Sequence, residues 1–384
     1  MPTPGISRVA DFEELVRKKL PEFLVDYYAT GGGDEQTLED SRRAFQRYRL
    51  MPRVLRSDTN PGISTKLQGH TVTFPLGISP TGLQAAAHPD GEKATAKAVE
   101  KAGVPLILSS WSLMTIEEVA DSAPNALLWM QIYPFQDRRI TTNIVKRAEK
   151  SGFKAIVVTV DSPVIGLYAR SFRDGLDIPE QFGKRKGRCS IFAFFSVANL
   201  EGAPDSIAKA KASGDPFLFG FMHRQVVGNH SWKDIAWIKS LTNLPIILKG
   251  ILTAESARDA VEAGVQGIIV STHGGRQLDG VQAPIDALCG VVDAVRGSGV
   301  EVYMDGGVRS GRDIFKALAV GAKAVFIGRP AIWGLSYNGA DGVKEILDMM
   351  KHELSNAMTL CGCKSLAEID RSRVRHESQL VCKL

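Results

Sequence analysis

Residues 245–280 read PIILKGILTAESARDAVEAGVQGIIVSTHGGRQLDG, two strand-sized apolar runs on either side of a helix-sized amphipathic segment. Pro245–Leu248 is a short buried-strand pattern closed by Lys249-Gly250, and Ala254–Ala263 carries its apolar residues at helical spacing. Gly267–Val270 is a second strand, closed by Ser271-Thr272-His273-Gly274-Gly275-Arg276. A strand, a helix and a second strand in this order make a parallel unit, and parallel α/β sheets bind ligands at the carboxyl ends of their strands. Lys249 and His273 both fall there. Alone, a lysine at a strand end is most often a solvated terminus and a lone histidine is most often structural. Their joint placement beside Gly-Gly-Arg is what points to a site.

Outward from this unit the same pattern repeats. Strands are predicted at Leu76–Ser79, Pro105–Leu108, Leu127–Ile132, Ala155–Val160, Ile246–Leu248, Gly267–Val270, Val300–Met304 and Ala324–Ile327. The helices are predicted at Pro89–Ala102, Ile116–Asp121, Arg138–Lys150, Trp232–Ser240, Ala254–Ala263, Ile285–Val295, Arg312–Val320 and Val343–Met358. Eight strand–helix repeats without hairpin signals predict an α/β fold, a (β/α)8 TIM barrel. Residues 8–50 read as a helical preface. Phe12, Leu15, Val16 and Leu20 mark a first helix, and Phe23–Ala29 a second that Gly31-Gly32-Gly33 ends. Residues 50–69 read as a connector with a short hairpin. The irregular stretch 161–230 is too long for a bare connection and is expected to be an active-site lid. The chain thus reads as one domain, with preface and connector over 1–70, a barrel over 71–360 and a tail over 361–384.

Composition narrows the classes. With 384 residues, 44% hydrophobic and 23% charged, the chain is an ordinary globular one and not a disordered one. A net charge of +5 with interleaved signs is not the footprint of a nucleic-acid binder and favours anionic small molecules. The basic run Lys184-Arg185-Lys186-Gly187-Arg188 reads as a solvated loop. Cys189, Cys289, Cys361, Cys363 and Cys382 have neither disulfide-framework nor metal spacing, so reduced thiols, an intracellular setting and no metal are expected. The N-terminus lacks a signal-peptide core, and no apolar run approaches the ~20 residues of a membrane helix. Cys382-Lys383-Leu384 has the small–basic–leucine form of a peroxisomal address, which predicts a peroxisomal import receptor as partner, with the cytosol as the alternative.

The strand ends carry the chemistry. They are Pro80-Thr81-Gly82, Ser109-Ser110-Trp111, Gln131-Ile132-Tyr133, Thr159-Val160-Asp161, Lys249, Ser271 to Arg276, Asp305-Gly306-Gly307-Val308-Arg309 and Gly328-Arg329. Loops after the last two strands of such barrels commonly form a phosphate site, and Gly306, Gly307, Arg309, Gly328 and Arg329 suit it. Thr81, Ser109, Gln131 and Thr159 offer donors and acceptors for a flat heteroaromatic ring, against the plainer reading of Ser and Thr as caps and turns.

Ser-Pro-Thr-Gly, Gln-Ile-Tyr, Thr-Val-Asp, Leu-Lys-Gly, Ser-Thr-His-Gly-Gly-Arg-Gln-Leu-Asp and Met-Asp-Gly-Gly-Val-Arg, together with Asp26-Tyr27-Tyr28-Ala29, resemble the FMN-dependent α-hydroxy-acid oxidases, from about residue 8 to 370. The resemblance implies oxidation of a 2-hydroxy acid to a 2-oxo acid, with FMN as cofactor and O2 reduced to H2O2. It implies that Pro80, Thr81, Gly82, Ser109, Gln131, Thr159, Lys249 and Ser271 hold the flavin, and that Asp305, Gly306, Gly307, Arg309, Gly328 and Arg329 hold its phosphate. His273 would be the base, Asp161 its orienting carboxylate, Tyr27 and Arg276 the ligands of the substrate carboxylate, and Tyr133 the partner of the substrate hydroxyl. A homo-oligomer, a tetramer in the family, is also implied.

Three positions depart from the family's pattern. Tyr168 stands where an arginine is usual, which makes Arg170 the candidate second clamp for the carboxylate. Thr272 stands where Asn commonly precedes the base, and Gly82 where Ala is common, the loss of a single methyl group. Two alternatives follow: an FMN-binding homologue with little turnover that serves as a binding or regulatory protein, and a dehydrogenase with another electron acceptor. An isomerase of phosphorylated substrates fits least, because of the His-Gly-Gly-Arg pairing.

Overall fold

Strands that are buried on both faces read as near-continuous apolar runs, and β4 (Leu76–Ile78), β5 (Pro105–Leu108), β7 (Ile156–Thr159), β9 (Gly267–Val270) and β11 (Ala324–Ile327) are buried at every residue, apolar but for Thr159 at the end of β7. With β6 (Leu127–Ile132), β8 (Ile246–Ile251) and β10 (Glu301–Asp305) they form one closed barrel, in the order β10-β11-β4-β5-β6-β7-β8-β9. Neighbouring barrel strands pair in parallel throughout. The (β/α)8 expectation therefore holds. This computed structural model describes residues 5–56, 60–164, 199, 226, 228 and 230–380. Most of the expected lid 161–230 lies outside them, as do Cys189, the basic run 184–188 and the tail Cys382-Lys383-Leu384.

Alternation along each strand makes two separate cores. Outward side chains pack against the helices. Inward ones form a second cluster of Ile107, Trp129, Val157, Ile247, Ile269, Tyr303 and Phe326, with Leu67 and Val72. Leu67 and Val72 come from β2 (Thr65–Leu67) and β3 (His70–Val72), the hairpin expected in the connector, which adds its apolar face to the barrel interior. Three aromatic rings fill this layer, with centroids 5.6 Å apart for Trp129–Tyr303 and Trp129–Phe326, and 5.8 Å for Tyr303–Phe326. Gly77 clears room for them: a Cβ there would sit 2.4 Å from Phe326 Cε1.

The preface is richer than expected. Helices Val9–Lys19, Glu22–Ala29 and Gln36–Arg43 lead through a 3-10 turn into β1 (Tyr48–Leu50). β1 pairs antiparallel with β12 (Val374–His376), which clasps the two ends of the chain together. Three-residue strands carry too little periodicity to be read from sequence. The helix after β11 is also longer than the expected Val343–Met358, running over Arg329–Leu360 with a break at Asn338 and Gly339. Its first part opens with Pro330 in the first turn, and Gly334 and Gly342 let its two parts approach closely, a use of glycine that masks a helix in sequence. Phe12 of the preface is fully buried and stacks edge-on against Tyr337.

Gly77→Ala should destabilise the protein by about 1–3 kcal/mol through overpacking. Urea unfolding of the single and double variants checks this, because the double change Gly77→Ala with Phe326→Leu should cost less than the sum of the two single changes.

Candidate active site

Two residues beyond each inward apolar side chain, the barrel interior becomes polar. Ile107 is followed by Ser109, Trp129 by Gln131, Val157 by Thr159, Ile247 by Lys249, Ile269 by Ser271 and Tyr303 by Asp305, and all six of these polar residues are buried. Burial of so many polar groups requires that they satisfy one another. Lys249 Nζ donates to Ser271 Oγ at 2.8 Å and lies 3.3 Å from Asp305 Oδ2. Ser79 Oγ donates to the same Asp305 oxygen at 2.8 Å. Gln131 Nε2 donates to Thr159 Oγ1 at 3.0 Å, while Gln131 Oε1 accepts from the Ser110 amide at 3.0 Å. Asp305 Oδ1 is buried and has no partner among the described residues.

Just above this layer, His273 Nδ1 lies 2.8 Å from Asp161 Oδ1. Ser162 Oγ donates to that oxygen at 3.0 Å and itself accepts from Gln277 Nε2 at 2.6 Å. Burial alone would raise the Asp161 carboxyl. The His273 ring, the Lys249 ammonium and the Ser162 hydroxyl outweigh that and hold it below its ordinary value. His273 has a left-handed backbone, φ +55°, continued by Gly274 at +67° and Gly275 at +71°. A histidine is not at ease there, so the turn depends on its surroundings. One support is the Ser271 hydroxyl, which accepts the His273 amide at 3.0 Å.

The preface closes this side. An added Cβ on Gly31 or Gly32 would lie 2.8 Å from the carbonyl of Gly275 or Gln277, so the glycine triplet is a docking surface as well as a helix end. The Asp279 carboxylate accepts the amides of Asp34, Gln36 and Thr37 at 3.0, 3.2 and 2.7 Å. Arg276 stacks over the half-buried Tyr27 ring, 5.1 Å from its centroid, and donates to the carbonyls of Tyr27 and Thr30 at 2.7 and 3.1 Å.

At the loops after β10 and β11, Gly306 and Gly307 have φ of +92° and +80°. Arg309 Nη1 donates to Val308 O at 2.8 Å. Burial pushes the Arg309 guanidinium down to about 10, with nearby Arg42 adding to the fall. Burial, then Arg276, Arg309 and Arg42, also put Arg329 well below its ordinary value. Among the described residues, neither Arg309 nor Arg329 forms a salt bridge. A Cβ on Gly328 would meet nothing nearer than Thr81 Oγ1 at 3.6 Å.

The structure thus gathers Ser109, Gln131, Thr159, Lys249, Ser271 and Asp305 in one buried layer, with Asp161, His273, Arg276 and Tyr27 at its rim. Tyr133 is buried beside Trp111, their rings 5.7 Å apart. Pro80 and Thr81 are half-buried, and Thr81 O accepts from Gln84 Nε2 at 3.2 Å. Gly82 is more than a missing methyl: a Cβ would lie 2.8 Å from Trp111 Cβ, so the glycine lets Trp111 approach. The Asp305 side chain is engaged by Lys249 and Ser79. Thr272 Oγ1 accepts the Gly275 amide at 3.3 Å. Arg170 and Tyr168 lie outside the described residues. Sequence reasoning missed Ser79, Ser162 and Gln277, although the two-residue alternation that marks Ser109 also marks Ser79. It also missed Glu92, whose buried Oε1 accepts the Gln84 and Leu113 amides at 3.0 and 3.3 Å and ties the loops after β4 and β5 together. Among the described residues no helix is long and apolar enough to cross a membrane, and no group of three His, Cys, Asp or Glu is placed to hold a metal ion.

Comparison with known proteins gives one consistent answer. The FMN-dependent dehydrogenase family matches residues 16–376. 2-Hydroxyacid oxidase 1 of Mus musculus is 44% identical over 384 residues, covering 99% of this chain and 100% of that protein. The peroxisomal (S)-2-hydroxyacid oxidase of Arabidopsis thaliana is 44% identical over 375 residues, covering 97% and 98%. Among solved structures, mandelate oxidase with benzoyl-formic acid superposes with a TM-score of 0.82 at 36% identity, covering 96% of this chain and 98% of that one.

Because the folded Asp161 carboxyl is depressed, it adds stability above its unfolded value of about 3.9 and loses that contribution as pH falls through the lower folded value. Asp161→Asn should therefore be less stable than the wild type at neutral pH. The gap between their urea midpoints should narrow as pH drops below about 4.

Proposed function

We propose, for a chain that belongs to the FMN-dependent dehydrogenase family, the oxidation of a 2-hydroxy acid to the 2-oxo acid with O2 reduced to H2O2. The observation that carries this reading is the His273–Asp161 pair at 2.8 Å on the same barrel rim as Arg276 and Tyr27. A base and a carboxylate anchor over a buried polar layer would suit that oxidation. The residues fit FMN: among the described residues Asp305 Oδ1 has no partner and is open to a donor, and Arg309, which forms no salt bridge among them, follows the turn of Gly306 and Gly307. Ser109, Gln131, Thr159, Lys249, Ser271 and the Pro80-Thr81-Gly82 loop would hold the ring, and Gly306, Gly307, Arg309 and Gly328 the phosphate. When bound, FMN accepts two electrons from the substrate and passes them to O2.

The protein supplies the rest. With Nδ1–H donated to Asp161, His273 keeps the lone pair on Nε2 to take a proton from the substrate. Asp161 stabilises the imidazolium that results, and its second oxygen, buried and without a partner among the described residues, strengthens the field. Arg276 offers a planar fork to the substrate carboxylate, and Tyr27 and Arg170 complete that end. Tyr133 faces the substrate hydroxyl. Lys249 stands by to offset negative charge that builds on the ring. Trp111 and Tyr133 bound the space for the substrate's side chain. The same proposal includes action as one domain, assembly as a homo-oligomer, and peroxisomal import through a receptor for the Cys382-Lys383-Leu384 tail. That a similar Arabidopsis thaliana protein is named peroxisomal supports the location.

Anaerobic mixing with glycolate, lactate and longer 2-hydroxy acids should bleach the flavin absorbance, and admitting air should restore it with formation of H2O2. Absence of bleaching with every one of these acids would refute the proposal. His273→Ala should retain FMN and slow reduction by about 10²–10⁴-fold.

A further inference from the structure

We propose that the Arg329 side chain is a positioning residue for the reacting end of the site and not a ligand of the cofactor phosphate, an inference that rests on the oxidase reading above. Each of its three nitrogens donates to a different backbone carbonyl: Nε to Tyr28 at 2.7 Å, Nη1 to Gly274 at 2.9 Å and Nη2 to Thr30 at 2.9 Å. Nε has a single hydrogen and is fully used, and each Nη keeps one. Arg309 differs. Its one described hydrogen bond goes to Val308 next to it, so its fork stays free for an anion.

The three carbonyls belong to the two segments that matter most. Tyr28 and Thr30 lie where helix Glu22–Ala29 ends, and Arg276 grips that same turn through the carbonyls of Tyr27 and Thr30. Gly274 lies in the left-handed turn that presents His273, and a Cβ on it would stand 2.8 Å from Arg329 Nη1. One planar cation therefore joins the segment that carries the base to the one that carries Tyr27. Lysine cannot replace it, because a single ammonium does not span three carbonyls in a plane. The half-buried guanidinium sits in the field of Arg276, Arg309 and Arg42, which disfavours its charge, so its three carbonyl partners are what hold it in place.

The test separates the two roles by comparing FMN with riboflavin, which lacks the phosphate. Apoprotein of the wild type, Arg309→Lys and Arg329→Lys is titrated with each flavin by fluorescence quenching, and reduction by (S)-lactate is followed by stopped flow. Arg309→Lys should lose about 10-fold or more of the preference for FMN over riboflavin. Arg329→Lys should keep that preference within about twofold, yet raise KM and slow reduction by about 10-fold or more. Gly274→Ala, which pushes on the same guanidinium from the other side, should reproduce the Arg329→Lys pattern and carries the test if Arg329→Lys does not fold. Loss of the FMN preference in Arg329→Lys to the extent seen in Arg309→Lys would overturn the proposal, and so would reduction at the wild-type rate. A wild type that no hydroxy acid reduces would instead refute the oxidase reading, while the titrations would still decide the role of Arg329.

Discussion

Closing eight parallel strands on one another sends every second side chain of each strand into the barrel, where they stack in layers, and that constraint fixes everything above it. One layer is filled by Trp129, Tyr303 and Phe326 with aliphatic neighbours. The next position inward on each strand is two residues later, close to where the strand ends, and there the chain places hydroxyls, an amide, a carboxylate and an ammonium. Lys249 and Asp305 are nearly inaccessible, with side chains 4% and 7% exposed. Removing two charges from water costs several kcal/mol per ion, and here the proximity of the two groups and the Ser79 and Ser271 hydroxyls offset that cost. The polar layer holds only as a set. The apolar layer beneath it, closed off by the β2–β3 hairpin, gives it an apolar floor.

The preface is as much part of the site as the barrel. Gly31, Gly32 and Gly33 allow backbone to meet backbone against the His273 loop, and Asp279 returns the contact by accepting three amides from the start of helix Gln36–Arg43. Tyr27 reaches Arg276 because of this docking. An extension outside the barrel thus sets the distance between substrate anchor and base.

The barrel was legible because its strands obey a two-residue period and its helices a longer one, and Lys249, His273 and Arg276 were found simply by reading where strands stop. What escaped depends on partners far away in the chain. Nothing local in Tyr48–Leu50 indicates Val374–His376, and nothing in Gly328-Arg329-Pro330 indicates that the guanidinium turns toward Tyr28, Thr30 and Gly274. Gly82 reads in sequence as a lost methyl, and only the closeness of Trp111 gives the glycine its reason. The left-handed turn at His273 is equally invisible, since positive φ is uncommon for any residue but glycine and nothing local marks this one.

Barrel closure has a consequence for synthesis. β4, the first barrel strand made, finds one of its two neighbours in β11, the last. The preface likewise waits for β12 and for helix Arg329–Leu360. At about 5–20 residues per second, the ribosome leaves β4 with a bare edge for some tens of seconds. An exposed, wholly apolar edge strand invites pairing with other chains. A message truncated before the codons for β11 therefore yields a sticky product and not a smaller enzyme, and the nascent chain needs shielding until its C-terminal part emerges.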